Sequence, residues 1–409
     1  MPWKETSALG ERTKFVAEWK EGVYSMAELC RAYGVSRPTG YKWVKRYRSE
    51  GWEGLASESR AAVHHWNETP EAIRGAIVGM RQRYPHWGAP KIKEKLAQED
   101  AKVRWPAEST IGEILRREGL TVPRRRRRRT PPYGERLVGS GHPNGVWCAD
   151  FKGWFRTRDG QRCDPLTISD ARSRYLLRCQ LVRDTGTEAV RSQFEATFGE
   201  YGMPEAIRTD NGTPFASRGI GGLSRLSVWW IRLGIRPERI EPGEPQQNGQ
   251  HERIHRTMKA EGAQRPEATR QRQQAVLDGF RQRYNEERPH ESLQMRCPAQ
   301  VYERSGREYP ARLAPVEYPP EAVVRQVQKH GEFYWEGEAV FVGEALAHEP
   351  IRLEPVDDRR WKVYYSTVVL GVFNEAEHSI VPVDGLRLPA EPASGLHAPF
   401  RCAEGDMEY

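Results

Sequence analysis

The sequence predicts a multidomain chain: all-α helix-turn-helix units on the N-terminal side, a mixed α/β core in the centre and a small β-barrel toward the C-terminus. Three observations lead there. Residues 11–120 carry apolar positions at helical spacing, residues 146–240 alternate short β-type runs with helical ones, and residues 322–383 are short β-type runs with regular turn punctuation. A length of 409 residues suits roughly two to four domains.

In the first segment, Phe15, Val16 and Trp19 share one helical face, and Met26, Leu29 and Tyr33 share a second. Gly34 can take a left-handed turn and Ser36 can cap a third helix. Tyr41, Val44 and Tyr47 give that helix an inward stripe, leaving Arg37, Lys42, Lys45, Arg46 and Arg48 outward. This is the layout of a helix-turn-helix whose recognition helix carries the basic face. The same pattern also suits a small helical bundle with a solvated basic surface. A second helical unit follows from about Thr69 to Leu120, broken at Trp87-Gly88, with Ser109 as the expected cap of its last helix.

Next comes "VPRRRRRRTPPYGERLVGSGHPNG", in which six consecutive arginines stand between prolines and glycines. No helical period survives, so the run reads as an exposed linker. Arg124, Arg125, Arg126 and Arg127 suit a phosphate backbone, although a solvated tether would look the same.

From Val146 onward, "VWCADFKGWF", "DPLTISDA" and "RYLLRCQLV" suggest an antiparallel meander. "TEAVRSQFEATFGEYG" is a helix, "AIRT" a strand, "SRLSVWWIRLG" a helix and "IRPERIEP" a strand; alternation of this kind makes a mixed α/β domain. Trp147, Trp154, Trp229 and Trp230 are expected in its core. A further helix starts after "PQQNGQ", and a long polar one spans Arg265 to Asn285. From about Ala322 to Val383 the β-type runs indicate the small barrel.

A net charge of +8 with 29% charged residues favours a polyanionic partner without identifying one. The six cysteines include no CxxC pair, which fits neither a zinc module nor a disulfide framework. With no apolar signal core and no apolar run of membrane-spanning length, the expected location is a reducing cytoplasm, with no membrane partner.

Three carboxylates stand at element ends: Asp150 after "GVWCA", Asp210 after "AIRT", and Glu252 at the start of the helix after "PQQNGQ". Brought together, they would repel one another unless a cation intervened. Hard oxygen ligands favour magnesium or manganese, and two such ions can activate a water or a 3′-hydroxyl and stabilise the leaving oxygen. Each acid also has a plain structural explanation, as turn former, helix-dipole partner or acceptor for a backbone amide. Asp159, Asp164 and Asp170 compete by proximity with Asp150, and Glu241 and Glu244 with Glu252. His255, Arg256 and Lys259 follow Glu252 at helical spacing. A face so charged is unsuited to a core but suits a scissile phosphate and its neighbours. Asn211, Gln247 and Asn248 are further candidates for contact with metal or DNA.

The motifs "WCADFKG", "RTDNGTPFAS", "PQQNGQHERIHRTMK" and "YNEERPHESL", in that order, resemble the integrase core of insertion-sequence transposases, bacterial relatives of retroviral integrases among the RNase H-like DDE recombinases. The resemblance covers about Asn144 to Tyr302, and the helical units ahead of it look like that family's end-recognition domains. It implies an RNase H-like integrase core in which Asp150, Asp210 and Glu252 hold two Mg2+ or Mn2+ ions. It further implies binding to terminal inverted repeats, cleavage at the 3′ ends, strand transfer into target double-stranded DNA, and at least a dimer on DNA. Two departures stand out. The Asp210–Glu252 gap is longer than is usual in retroviral integrases, and their His/Cys zinc module is replaced by the helix-turn-helix. A hydrolytic nuclease of the same fold and a transcription regulator with an inactive core are the rival readings. The expected divisions are 1–60, 61–122, 123–143 (basic linker), 144–303 (catalytic core), 304–390 (β-rich) and 391–409 (tail).

Overall fold

The computed structural model describes residues 7–57, 68–121, 141–217, 219–240, 249–261 and 265–382. Arg124 to Arg127, Gln247, Asn248, the rival acids Glu241 and Glu244, and the expected tail lie outside the described residues. The chain divides into two compact units, Met1–Pro70 and Glu71–Tyr409.

In the first unit, α1 (Ala8–Glu21), α2 (Met26–Ala32) and α3 (Arg37–Glu50) close around Phe15, Val16, Leu29, Cys30, Val44 and Leu55. Ser7, Ser25 and Ser36 each accept a backbone N–H at their helix start. Gly34, at φ 64, makes the turn from α2 into α3. A Cβ on Gly40 would sit 2.7 Å from Cys30 Sγ and 3.0 Å from Phe15 Cζ, so glycine is what lets α3 cross so closely. That crossing rotates the helix from the expected stripe: Gly40 and Val44 are buried, whereas Tyr41 is 58% exposed. Arg37, Lys42 and Lys45 are exposed as expected. Arg46 is not: its guanidinium turns inward, donating to the Ala56 carbonyl at 3.2 Å and lying 5.2 Å from the Trp43 ring.

The second unit begins with α4 (Glu71–Arg83), α5 (Ala89–Glu99) and α6 (Glu108–Arg117), packed through Ile77, Trp87, Ile92, Leu96, Ile111 and Leu115. Ser109 lies inside α6, whose cap position is Ala107.

The α/β core contains β1 (Val146–Phe151), β2 (Phe155–Arg156), β3 (Arg162–Asp170), β4 (Leu176–Val182), β5 (Ala206–Thr209) and β6 (Arg236–Arg239). β1 pairs antiparallel with β3 and parallel with β5, β3 pairs antiparallel with β4 and β2, and β6 runs parallel to β5. Adjacent strand residues face opposite sides of a sheet. On one side Trp147, Leu166 and Ile168 pack against α7 (Thr187–Tyr201) and α8 (Arg225–Arg232) through Phe194, Phe198, Trp229 and Trp230. On the other, Leu176, Cys179 and Leu181 meet Ile254 and Met258 of α9 (Gly249–Glu261) and Leu277 and Phe280 of α10 (Arg270–Glu286). The last helix starts later than its polar pattern implies, because Thr269 caps it by accepting from Arg272 N. Trp154 is 58% exposed rather than in the core, with the guanidiniums of Arg156 and Arg162 5.8 and 5.3 Å from its ring.

The C-terminal strands are β7 (Val323–Gln326), β8 (Glu332–Trp335), β9 (Glu338–Phe341), β10 (Pro350–Pro355), β11 (Arg360–Tyr365), β12 (Val368–Asn374) and β13 (Ser379–Pro382). They do not close the expected barrel. Five form an open antiparallel sheet in the order β13-β12-β11-β10-β7, and β8 pairs only with β9 among the described strands. The hairpin instead buries Phe333, Trp335 and Val340 in one cluster with Ile351, Val363, Leu370 and Phe373, so stacking rather than ladder closure covers the apolar surface. Leu223, Val228 and Ile231 from the α8 region join that cluster and fasten the β-rich part to the core. No described helix is long and apolar enough to cross a membrane.

Candidate active site

The parallel ladder between β1 and β5 sets the geometry. Val146 pairs with Ala206, Trp147 with Ile207 and Cys148 with Arg208. Two residues further along each strand stand Asp150 and Asp210, so both carboxylates leave the same end of neighbouring strands at matching positions. Asp210 Oδ1 accepts the Gly212 N–H at 3.1 Å, which folds the turn back on itself. The Asn211 side chain donates to the Ile240 carbonyl at 3.0 Å, so its amide fastens this turn to the segment after β6. Beneath the turn the buried Arg208 guanidinium pairs with Glu238 of β6, which also takes Arg236 at 2.8 Å.

A polar network ties α9 to β1. Asp150 is registered against Thr167, whose hydroxyl donates to the Asp150 carbonyl at 3.1 Å. Thr167 Oγ1 also lies 2.7 Å from His255 Nε2 and 2.6 Å from His251 Nε2, and Ser169 Oγ lies 3.2 Å from His251 Nδ1. A hydroxyl has one hydrogen to give. With that hydrogen on the Asp150 carbonyl, both imidazoles must donate from Nε2, and His251 Nδ1 accepts from Ser169. His255 then presents an unprotonated Nδ1 toward Asp150 Oδ2, 3.9 Å away. Burial, aided by Lys152, holds His255 down to about 4, and burial takes His251 well below the ordinary histidine value.

His255 therefore departs from the DNA-facing role expected of it. It is 8% exposed and packs inward with His251, Ile254 and Met258, because the Thr167 hydroxyl rewards its burial. Glu252, Arg256 and Lys259 are exposed on the adjoining stripe of α9. The register thus places Asp150 and Asp210 at the same end of neighbouring strands. Among the described residues, however, no three Asp, Glu, His or Cys side chains stand close enough to hold a metal ion. The rival acids near Asp150 are committed elsewhere. Asp170 is buried and accepts from Asn144 N at 2.7 Å and Ser173 N and Oγ at 2.6 Å; Asp164 takes Arg162 at 2.8 Å; Asp159 accepts from Gln161.

Sequence reasoning passes over His251, Thr167 and Ser169. The signal is there: two histidines four residues apart share a helical face, and two hydroxyls two residues apart share a strand face.

The comparisons with known proteins agree with this architecture. The Integrase core domain family matches residues 141–245, and a second Integrase core domain family matches 233–298. A Helix-turn-helix domain matches 11–62 and a Homeodomain-like domain 39–115. The chain is 30% identical over 253 residues to the insertion element IS476 uncharacterized 39.2 kDa protein of Xanthomonas euvesicatoria, covering 60% of this chain and 70% of that protein. The chain belongs to the integrase-core transposases of insertion elements. The transposase is also 27% identical over 247 residues to the insertion element IS407 uncharacterized 31.7 kDa protein of Burkholderia multivorans, covering 58% of this chain and 85% of that one. Among solved structures, the catalytic core domain of HTLV-2 integrase in complex with magnesium aligns at a TM-score of 0.32 and 15% identity, covering 40% of the transposase and 99% of that chain. The integrase core assigns the transposase to the polynucleotidyl transferase superfamily.

The buried histidines make its stability acid-sensitive. His255 at about 4 and His290, after α10, at about 3 stay neutral in the fold, while in the unfolded chain they titrate near the ordinary value of 6.5. Below about pH 6.5 the unfolded chain therefore binds more protons, and stability falls as pH drops toward about 4. Urea midpoints at about pH 7.5 and pH 5 should differ more for the wild type than for His255→Gln or His290→Gln. Equal pH slopes in all three would contradict this assignment.

Proposed function

We propose that this transposase binds the terminal inverted repeats of its element, cleaves the 3′ ends and transfers them into target double-stranded DNA, using Asp150, Asp210 and Glu252 with two Mg2+ or Mn2+ ions. The observation that carries the reading is the shared β1/β5 register, which presents two carboxylates at one sheet end. The donors fit such ions in kind: they are hard oxygens, and the imidazole beside Asp150 is neutral and brings no competing cation. Asp150 and Asp210 would hold the ions, and Glu252 would complete the set from the first turn of α9. When bound, the ions would activate a water and then a 3′-hydroxyl and stabilise the leaving oxygen. The exposed Arg256 and Lys259, one and two turns after Glu252, would hold the flanking phosphates. Arg37, Lys42 and Lys45 would contact the element end from α3, and joining two ends would require at least a dimer on DNA.

Labelled element ends incubated with target DNA and magnesium test the reading. Joined product is expected. Cutting without joining would favour a nuclease, and end binding without cutting an inactive regulator. Binding should also be strongly salt-dependent. Replacing Arg124 to Arg127 should reduce the slope of log affinity against log salt by roughly 0.9 for each phosphate no longer neutralised, and Arg37→Ala with Lys42→Ala should weaken protection of the end. An unchanged slope would make the arginine run a tether, and unchanged footprints would remove α3 from the interface.

A further inference from the structure

The motif "YNEERPHESL" has no task in the chemistry proposed above. In the structure its first half is a junction of three elements. The Asn285 side chain brackets Leu176 of β4, accepting its N–H at 2.8 Å and donating to its carbonyl at 3.0 Å. The Arg288 guanidinium pairs at 2.5 Å with Glu261 at the end of α9, both side chains being largely buried. The third partner is the helical unit α4 to α6. The Tyr84 hydroxyl, just after α4, donates to the Glu287 carboxylate, and the Lys91 ammonium on the first turn of α5 donates to the Pro289 carbonyl.

These are not casual surface contacts. Tyr84 is 8% exposed and lies flat on Trp87, their ring centroids 3.9 Å apart at 9°, so its hydroxyl is aimed from a fixed platform. Trp87 belongs to the hydrophobic core of α4 to α6, so the platform is continuous with that unit. Burial holds the phenol up to about 12, where it remains a donor, and brings Lys91 down to about 8. The five residues from Asn285 to Pro289 thus hold the sheet, the helix bearing Glu252 and the upstream helical unit at once.

We propose that Asn285–Pro289 is a joint that fixes the α4–α6 unit relative to the carboxylates at the end of β1 and β5, and thereby selects which phosphodiester at the element end is cut. This rests on the proposed cleavage and strand transfer, and on α4–α6 reading the element end as well as α3, in line with the Homeodomain-like match over residues 39–115. An enzyme that reads DNA with one part and cuts with another places its cut by the distance between them. A loosened joint therefore scatters the cut, whereas a lost catalytic group abolishes it. Tyr84, Lys91, Glu287 and Arg288 are positioning residues in this scheme.

The test maps cut positions at nucleotide resolution on labelled element ends with the full chain and magnesium. Tyr84→Phe and Lys91→Met, which keep volume and remove the two donors, should bind ends and cut within about threefold of the wild type, yet spread the cut over several neighbouring phosphates. Glu287→Gln, which keeps an acceptor for the Tyr84 hydroxyl, should keep the single position. A lower melting temperature with one unchanged cut position in both donor variants would reduce the contacts to ordinary stabilisation and overturn the proposal. Wild-type protein that cuts nothing would defeat the functional reading and the cut-placement role with it. The joint itself is read separately by hydrogen exchange, expected to be faster across α4 and α5 in the combined Tyr84→Phe, Lys91→Met variant; unchanged exchange would overturn it.

Discussion

Asp150→Asn and Asp210→Asn are each expected to lower joining of labelled element ends by about 10³-fold or more while leaving end binding unchanged. Asparagine keeps the size of aspartate and an oxygen acceptor, so the Gly212 N–H bond to residue 210 survives the second substitution. What disappears is one negative charge at the paired strand ends, where a cation would be held, and the loss should fall on turnover. Glu252→Gln should behave alike. Asp170→Asn provides the contrast: that carboxylate is buried among three donors, so its replacement should lower the melting temperature, with joining declining only as folded protein is lost. Intact joining in the Asp150 and Asp210 variants would sink the carboxylate assignment.

Glu238→Ala should cost the fold about 3–5 kcal/mol, a large share of the roughly 5–15 kcal/mol that keeps a domain folded. Arg208 has only 6% of its side chain exposed, and its Nη1 has no hydrogen-bond partner among the described residues even with Glu238 in place. Removing Glu238 strands a buried guanidinium, whereas the double replacement Arg208→Met with Glu238→Leu removes both charges and should recover most of the loss. Urea unfolding of the three variants checks this; a single variant within about 0.5 kcal/mol of the wild type would mean the pair is solvated after all. Because Arg208 lies two residues before Asp210, the single variant should also blur the turn that carries that acid.

Much of this organisation is legible in the sequence. The apolar runs of β1, β3 and β4 and the helix cap at Ser36 are local signals, and local chemistry decides them. The order of the four motifs announces the family. Three-dimensional partnership is less visible. On α9 the charges are plain but the inward face is not, since His255 lies between the Glu252 side and the Ile254–Met258 side and is decided by the Thr167 hydroxyl on a strand 88 residues away. Tyr41 and Arg46 escape the helical pattern because Gly40 rotates α3 toward its neighbours. Alternation along β10 to β12 marks a buried face but says nothing about whether the end strands meet, so an open sheet with a stacked hairpin carries the same pattern as a barrel. The three-way grip of Asn285 to Pro289 depends on partners up to 203 residues distant, which no local pattern reports.

The β1/β5 ladder has a consequence for how the gene can vary. Between Asp150 and Asp210 the chain makes a long excursion through β3, β4 and α7, yet the spacing of the two acids is fixed only by the few residues inside the ladder. Insertions and deletions in the loops of the excursion are therefore neutral toward that pair, as are those in the loop before α8, which Ser217 closes onto Gly222 and Leu223. A single codon gained or lost within Val146–Asp150 or Ala206–Asp210 turns one acid to the opposite face. Length polymorphism among relatives should crowd into the first regions and be absent from the second.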